Sequence, residues 1–280
     1  MSAVAPRPVT IAELLASHDG VLLDAYGVLI DAAGALPGAG DLIAELNRRG
    51  TPFAVVTNDA SRSQATYVRR FAALGLPMAG DQFVTSGSLL PAYFRSLAGA
   101  RTLVLGTEDS YAFVVAGGGV PVALVPGIEI DAVAICDDSG TPFLEGIELA
   151  LSAIIRAVDA GRRPALVLPN PDLVYPRGNG ELGFTAGAMA LLVEAALARR
   201  FPGAGLLFDR LGKPAPHLFL AGKVRLGVER VVMIGDQLET DIAGARAAGI
   251  PAALLAGISH WDERSAITPD YLLADLSIER

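Results

Sequence analysis

The chain has 280 residues, 52% of them hydrophobic and 19% charged, enough for one large or two ordinary domains with a substantial core and too apolar for a disordered segment. A formal charge of −8 without a basic block argues against a nucleic-acid partner, and the single cysteine, Cys136, rules out an internal disulfide framework or a cysteine-rich zinc site. No apolar run approaches the roughly 18 residues of a membrane helix, and residues 1–10 lack the apolar middle of a secretory signal, so a cytoplasmic protein with no membrane partner is expected.

In chain order, GVLLDAYGVLI (20–30) reads as a strand running into a turn, AGDLIAELNRRG (39–50) as a helix, TPFAVVTN (51–58) as a strand and SRSQATYVRRFAALG (61–75) as a helix. RTLVLG (101–106) and DAVAIC (131–136) read as strands, EGIELALSAIIRAVDAG (145–161) as a helix, RPALVLP (163–169) as a strand and TAGAMALLVEAALARR (185–200) as a helix. ERVVMIGD (229–236) and TDIAGARAAG (240–249) close the series as strand and helix. Such alternation predicts an α/β fold with a parallel sheet. Glycine- and proline-rich stretches, VVAGGGVPVALVPG and NPDLVYPRGNGELG, mark a central segment of different texture. They predict an inserted α/β unit over about 88–185, set into a larger domain built from 1–87 and 186–280.

Four strand ends or loops carry polar groups. The first strand stops at Asp24, the second at Thr57 and Asn58 before a helix entered at Ser61, and a later one at Gly235 and Asp236, with Asp241 five residues on. Lys213 lies between a glycine and a proline. Gathered along one sheet edge, they supply a carboxylate nucleophile, a hydroxyl, an ammonium and an acidic pair, which is what phosphoryl transfer needs. Asp24 and Asp236 would hold a metal, Thr57 and backbone N–H groups at the helix start would bind phosphate oxygens, and Lys213 would add fixed positive charge.

Asp-x-x-Gly-Val, Thr-Asn, Gly-Lys-Pro and Gly-Asp-x-x-x-Thr-Asp, in that order, resemble the motifs of the haloacid dehalogenase (HAD) superfamily. TNDASRS and NPDLVYPRGNGELGFTAGAMALLVE are similar to segments of its class IIA, the NagD/4-nitrophenylphosphatase-like branch. The resemblance implies a Rossmann-like HAD core with an inserted, mobile α/β cap, and Mg²⁺-dependent hydrolysis of a small phosphorylated metabolite through an aspartyl-phosphate on Asp24. It implies metal ligation by Asp24, Asp236 and the backbone carbonyl of Tyr26, phosphate contacts from Thr57, Asn58 and Lys213, and an Asp241 that orients Lys213. In the cap, Asn170, Asp172 and Arg177 are candidates for substrate selection, beside the plainer reading of a hydrogen-bonded loop. A homodimer through the cap is implied by the resemblance alone.

One position departs from the pattern. Phosphatases of this family carry a second aspartate where this chain has Tyr26, and that acid protonates the leaving oxygen and then activates water. A phenol matches neither step well at neutral pH, and loss of a general acid–base typically costs about 10²- to 10⁴-fold in rate. Slow turnover favouring aryl or acyl phosphates follows, with rescue by Asp59 a further idea; Asp59 and Asp31 read more simply as helix-entry and turn residues. Two alternatives stay open: a non-catalytic module that binds a phosphorylated ligand, and a 2-haloacid dehalogenase, whose first motif DAYG resembles but whose family lacks this acidic pair. His217 and His260 have no partners at metal spacing, and the glycines at 117–119 read as a helix-ending turn.

Overall fold

The computed structural model describes residues 5–178 and 180–278. The first four residues of the leader reading, Asn179 of the glycine-rich stretch and residues 279–280 lie outside the described residues. In chain order the elements are β1 (Arg7–Pro8), α1 (Ile11–Ser17), β2 (Gly20–Leu23), α2 (Ala39–Arg49), β3 (Phe53–Thr57), α3 (Gln64–Ala73), β4 (Phe83–Thr85), α4 (Leu90–Phe94), β5 (Arg101–Leu105) and α5 (Glu108–Ala116). There follow β6 (Val120–Pro121), β7 (Ala132–Ile135), α6 (Phe143–Asp159), β8 (Ala165–Leu168), β9 (Val174–Gly178), β10 (Glu181–Phe184) and α7 (Ala186–Arg200). The chain ends with β11 (Asp209–Arg210), α8 (His217–Leu226), β12 (Val231–Gly235), α9 (Ala243–Ala247), β13 (Ala252–Leu255) and β14 (Tyr271–Leu273). These elements divide between two compact units, one of Met1–Thr57, Gln64–Val84 and Lys213–Arg280, the other of Asn58–Ser63 and Thr85–Gly212.

The first unit is built on a sheet in the order β1-β14-β13-β12-β2-β3-β4, parallel from β1 through β3. Its central strands β2, β3 and β12 are buried at every position, because helices cover both faces, and they therefore read as continuous apolar runs. Val21, Leu23 and Val55 point to one face and pack with Leu14, Leu42, Leu46 and Phe71. On the opposite face a Cβ added at Gly222 of α8 would stand 2.8 Å from Leu22 and 3.1 Å from Val56, so glycine lets this helix lie close against β2 and β3. Helix ends follow local chemistry. Thr10 and Glu13 form a reciprocal capping box at the start of α1, and Gly50, at φ 67°, closes α2 in the left-handed conformation.

In the second unit, β11-β8-β7-β5-β6 form another parallel sheet. Leu103, Leu105, Val133, Ile135, Leu166 and Leu168 face α6 and α7, while the alternate residues Val104, Ala132, Ala134 and Val167 face Leu90, Phe94 and Val114. Cys136 is buried in the second of these clusters. This unit reaches Gly212, beyond the boundary at 185 that the sequence texture suggests. The reason is that α7 carries Met189, Ala190, Val193 and Leu197 into the same core and delivers β11 to the edge of β8, so the crossover is complete only after residue 210. NPDLVYPRGNGELG, with its look of loop, contains the antiparallel pair β9–β10, in which Pro176 is tolerated because a two-stranded ribbon has only edges. Among the described residues no helix is long and apolar enough to cross a membrane.

Candidate active site

The strand order sets the chemistry of the first unit. Because β13, β12, β2 and β3 are parallel neighbours, their C-terminal ends share one edge, the place where open α/β sheets present ligand groups. Leu23 pairs with Ile234, and the Asp24 N–H donates to the Ile234 carbonyl at 3.0 Å, so Asp24 and Asp236 leave adjacent strands side by side. Thr57 closes β3 on the far side of β2.

Lys213 joins these strand ends from the loop before α8. Its Nζ lies 2.7 Å from Asp24 Oδ1 and 2.6 Å from Asp241 Oδ1. Asp24 and Lys213 are each only 4% exposed, and Asp236 and Asp241 not at all, so these charges act with little screening. Burial opposes the Lys213 charge, but the carboxylates of Asp24 and Asp241 outweigh it and hold the ammonium above its ordinary pKa. Asp24 Oδ1 also accepts the Ala25 N–H at 2.7 Å.

Asp241 fixes the other end of the arrangement. It sits in a π-helical turn, Leu238–Ile242, and its Oδ2 accepts the N–H groups of Asp236 and Gln237, each at 3.2 Å. A Cβ at Gly235 would fall 2.3 Å from the Asp241 Cβ, which is why glycine precedes Asp236. Gly27, at φ 89°, plays a matching part: a Cβ there would come 2.1 Å from Asp236 Oδ2.

Asp24, Asp236 and Asp241 each offer a carboxylate oxygen, all within 4.8 Å of one another. Against one ammonium, three ionised carboxylates leave an excess of negative charge. Both oxygens of Asp236 are buried without a hydrogen-bond partner, an arrangement that costs several kcal/mol unless a cation completes it. Burial first, and then the Asp241 carboxylate, pushes Asp236 up to about 6. The same two causes, opposed by Lys213, push Asp24 up to about 8. An all-oxygen donor set with surplus negative charge and an unpaired buried carboxylate fits a hard divalent cation.

Other residues singled out by sequence take different places. Asn58 in the second unit donates from Nδ2 to Asp172 Oδ1 at 2.9 Å, and Asn170 Oδ1 accepts the Asp172 N–H at 3.1 Å, so these three form one hydrogen-bonded loop network. Arg177 is exposed on β9 with its guanidinium over the Tyr175 ring at 5.7 Å. The helix expected from Ser61 begins at Gln64, and the N–H groups ahead of it are already taken: Ser61 by Asp59 Oδ1 at 2.6 Å and Ser63 by Asp109 Oδ2 at 2.8 Å. Asp59 is also paired with Arg62 at 2.6 Å on the approach to α3, and Asp31 accepts the N–H groups of Ala33 and Gly34 in a turn. The Tyr26 ring packs against the first-unit core and lines a cavity of about 450 Å³ with Leu36, Pro37, Asp236, Leu255 and Leu276. His217 and His260 are exposed. Sequence reasoning missed Ser259, whose N–H donates to the Asp236 carbonyl at 3.0 Å and whose Oγ accepts the Leu238 N–H at 3.1 Å.

The raised acids have a thermodynamic consequence. A carboxyl whose folded pKa lies above its unfolded value contributes stability that is present at low pH and lost as pH rises through the folded pKa. Metal-free Asp236→Asn is therefore expected to melt above the parent at pH 8, by up to roughly 3 kcal/mol of relieved strain, with the advantage gone by about pH 4. Thermal denaturation in chelator across pH 4–8 checks this; an Asn variant less stable than the parent at pH 8 contradicts it.

Comparisons with known proteins agree with this geometry. Family models for haloacid dehalogenase-like hydrolase and HAD-hydrolase-like proteins match residues 21–118 and 210–277. Human chronophin is 27% identical over 93% of this chain and 88% of its own length. Among solved structures, a possible sugar phosphatase of the HAD superfamily from Cytophaga hutchinsonii aligns with a TM-score of 0.84 and 25% identity, covering 99% of this chain and 100% of that one. A glycerol phosphate phosphatase from Mycobacterium tuberculosis, in complex with magnesium, aligns with a TM-score of 0.79 and 28% identity over 96% of this chain and 78% of that one. With these matches and the clustered strand-end carboxylates, the chain belongs to the haloacid dehalogenase superfamily, in its class IIA branch with NagD and the 4-nitrophenylphosphatases, and is a hydrolase of the phosphatase type.

Proposed function

We propose that the protein is a Mg²⁺-dependent phosphatase that cleaves a small phosphorylated metabolite through an aspartyl-phosphate on Asp24, favouring leaving groups that depart without protonation. The observation that carries the reading is the Lys213 ammonium held between Asp24 and Asp241 beside an unpartnered, buried Asp236 carboxylate. The magnesium complex of the glycerol phosphate phosphatase supports the choice of metal.

In this mechanism Mg²⁺, held by Asp24, Asp236 and the Tyr26 carbonyl, would neutralise phosphate oxygens and favour the ionised form of Asp24. Asp24 Oδ1 is committed to Lys213 and the Ala25 N–H, which orients the carboxylate and leaves Oδ2 as the attacking atom. An oxygen–phosphorus bond forms to Asp24 as the bond to the leaving oxygen breaks, the electron pair departing with that oxygen. Thr57 and Lys213 hold the phosphoryl oxygens, and Asp241 keeps Lys213 in place. Water then attacks phosphorus, restoring Asp24 and releasing phosphate. Asn58, Asn170 and Asp172, with Arg177, are proposed to contribute to substrate selection.

Tyr26 sets the preference. With Asp31 and Asp59 engaged in turns, neither is offered as a replacement acid, so alkyl esters would leave as unprotonated alkoxides while aryl and acyl phosphates need no such help. With Mg²⁺, phosphate release should be abolished in Asp24→Asn, and kcat/KM, which reports the first half-reaction, should fall steeply across esters as the leaving-group pKa rises. Tyr26→Asp should flatten that dependence and raise turnover of alkyl phosphates by about 10²-fold or more. A parent equally active on alkyl and aryl esters would overturn the assignment of Tyr26.

We also propose a homodimer through the second unit. Exposed Val174, Leu182 and Phe184 lie on one face of the β9–β10 ribbon, where Phe184 is directly opposite Val174. Light scattering should give twice the chain mass of 28.9 kDa, and Phe184→Lys should give the monomer; a monomeric parent rejects the idea.

A further inference from the structure

Neither carboxylate oxygen of Asp236 has a hydrogen bond of full geometry, and the backbone N–H groups of Asp236 itself and of Ile258 act on the carboxylate only weakly against its burial. Its orientation depends mainly on its backbone and its walls. Gly27 is one wall, and Gly257 is another: a Cβ there would lie 3.3 Å from the Asp236 Cβ and 3.6 Å from Oδ2. Gly257 belongs to the loop that follows β13, and the same loop reaches back two residues later through Ser259.

Ser259 makes two bonds that straddle Asp236 and Gln237. Its N–H donates to the Asp236 carbonyl at 3.0 Å, and its Oγ accepts the Leu238 N–H at 3.1 Å. The Leu238 N–H is the first of the π-helical turn and has no partner within that turn, so the serine hydroxyl acts as its cap from a separate loop. Asp241, on the same turn, accepts the Asp236 and Gln237 N–H groups from the other side. The Gln237 carbonyl accepts the Asp241 and Ile242 N–H groups at 3.1 and 3.2 Å, so this stretch is held by the turn on one side and by Ser259 on the other.

Resting on the reading of Asp236 as a divalent-metal ligand, we infer that Ser259 is a positioning residue of the metal site, setting the direction of the Asp236 carboxylate through the peptide on either side of Gln237. A merely structural serine would lower stability when removed and leave the affinity of folded protein for metal alone. A positioning serine changes the affinity itself, because a ligand that must be reoriented on binding loses part of its binding energy. Outer-shell partners of this kind are typically worth about 10- to 100-fold in metal affinity. Ser259 acts through backbone and not on a carboxylate oxygen, so the lower end applies.

Calorimetric titration of the metal-free protein with Mg²⁺, alongside thermal denaturation in chelator, separates these roles for the parent, Ser259→Ala, Ser259→Thr and Asp236→Asn. Ser259→Ala keeps its N–H but frees the Leu238 N–H, and should bind Mg²⁺ about tenfold more weakly; activity lost at low Mg²⁺ should return as Mg²⁺ is raised. Ser259→Thr retains the hydroxyl and should restore the parent affinity. Unchanged affinity in Ser259→Ala, or a threonine variant as weak as the alanine one, overturns the inference while leaving the metal site intact. A parent that binds Mg²⁺ no better than Asp236→Asn overturns the metal reading itself, and the inference with it.

Discussion

Lys213 is a buried ammonium shared by two carboxylates, at 2.7 Å from Asp24 and 2.6 Å from Asp241, and the rest of the site is arranged around it. Taking such charges out of water costs several kcal/mol each, so a buried pair contributes little to net stability, but breaking one by removing a partner typically costs about 3–5 kcal/mol. The arrangement is therefore held for its chemistry. One ammonium cannot balance Asp24, Asp236 and Asp241 together, and the imbalance falls on Asp236, which has no partner of its own. A site with this deficit is built to receive a cation and, with it, an anionic substrate.

The sheet makes the deficit possible. Parallel strands bring Asp24 and Asp236 out at one edge, where the pairing of β2 with β12 and the bond from the Asp236 N–H to the Asp241 carboxylate fix the backbones that carry them. Glycines at 27, 235 and 257 remove the side chains that would hold the loops away from these acids. Close approach and charge crowding are thus two aspects of one design: residues without a Cβ admit the carboxylates, and the shortage of compensating charge tunes them. Burial first, and then the neighbouring Asp241 carboxylate, holds Asp24 and Asp236 above the ordinary carboxylate range.

Much of this was legible in the sequence because Asp24, Thr57 and Asp236 each end an apolar run, and a long buried strand advertises its own end. Asp241 and Lys213 were legible by spacing and by the flanking glycine and proline. The second unit's far boundary was not, since an alanine-rich helix such as α7 carries no mark of which core it serves. The β9–β10 ribbon was hidden by Pro176 and its glycines, and β1 and β14 are too short to show a period. Ser259 escaped for a different reason: its bonds are to backbone atoms of a neighbouring strand's loop, and no side-chain pattern announces such a contact. The helix start also shifted from Ser61 to Gln64, because Asp59 and Asp109 take up the N–H groups that would have opened the helix earlier.

Tyr26 gives the account its sharpest consequence. A good leaving group frees the first half-reaction from any need for an acid, but the second still requires a base to activate water, and a ring packed against the core supplies none. The phosphorylated form of Asp24 should then outlast the step that makes it. The most direct measurement is rapid-quench mixing of the Mg²⁺-loaded protein with a radiolabelled acyl or aryl phosphate, followed by peptide mapping of the acid-trapped label. A burst of leaving group approaching one equivalent per chain is expected, with the label on Asp24 and a slower steady release of phosphate. Turnover with no burst and no label on Asp24 would contradict it.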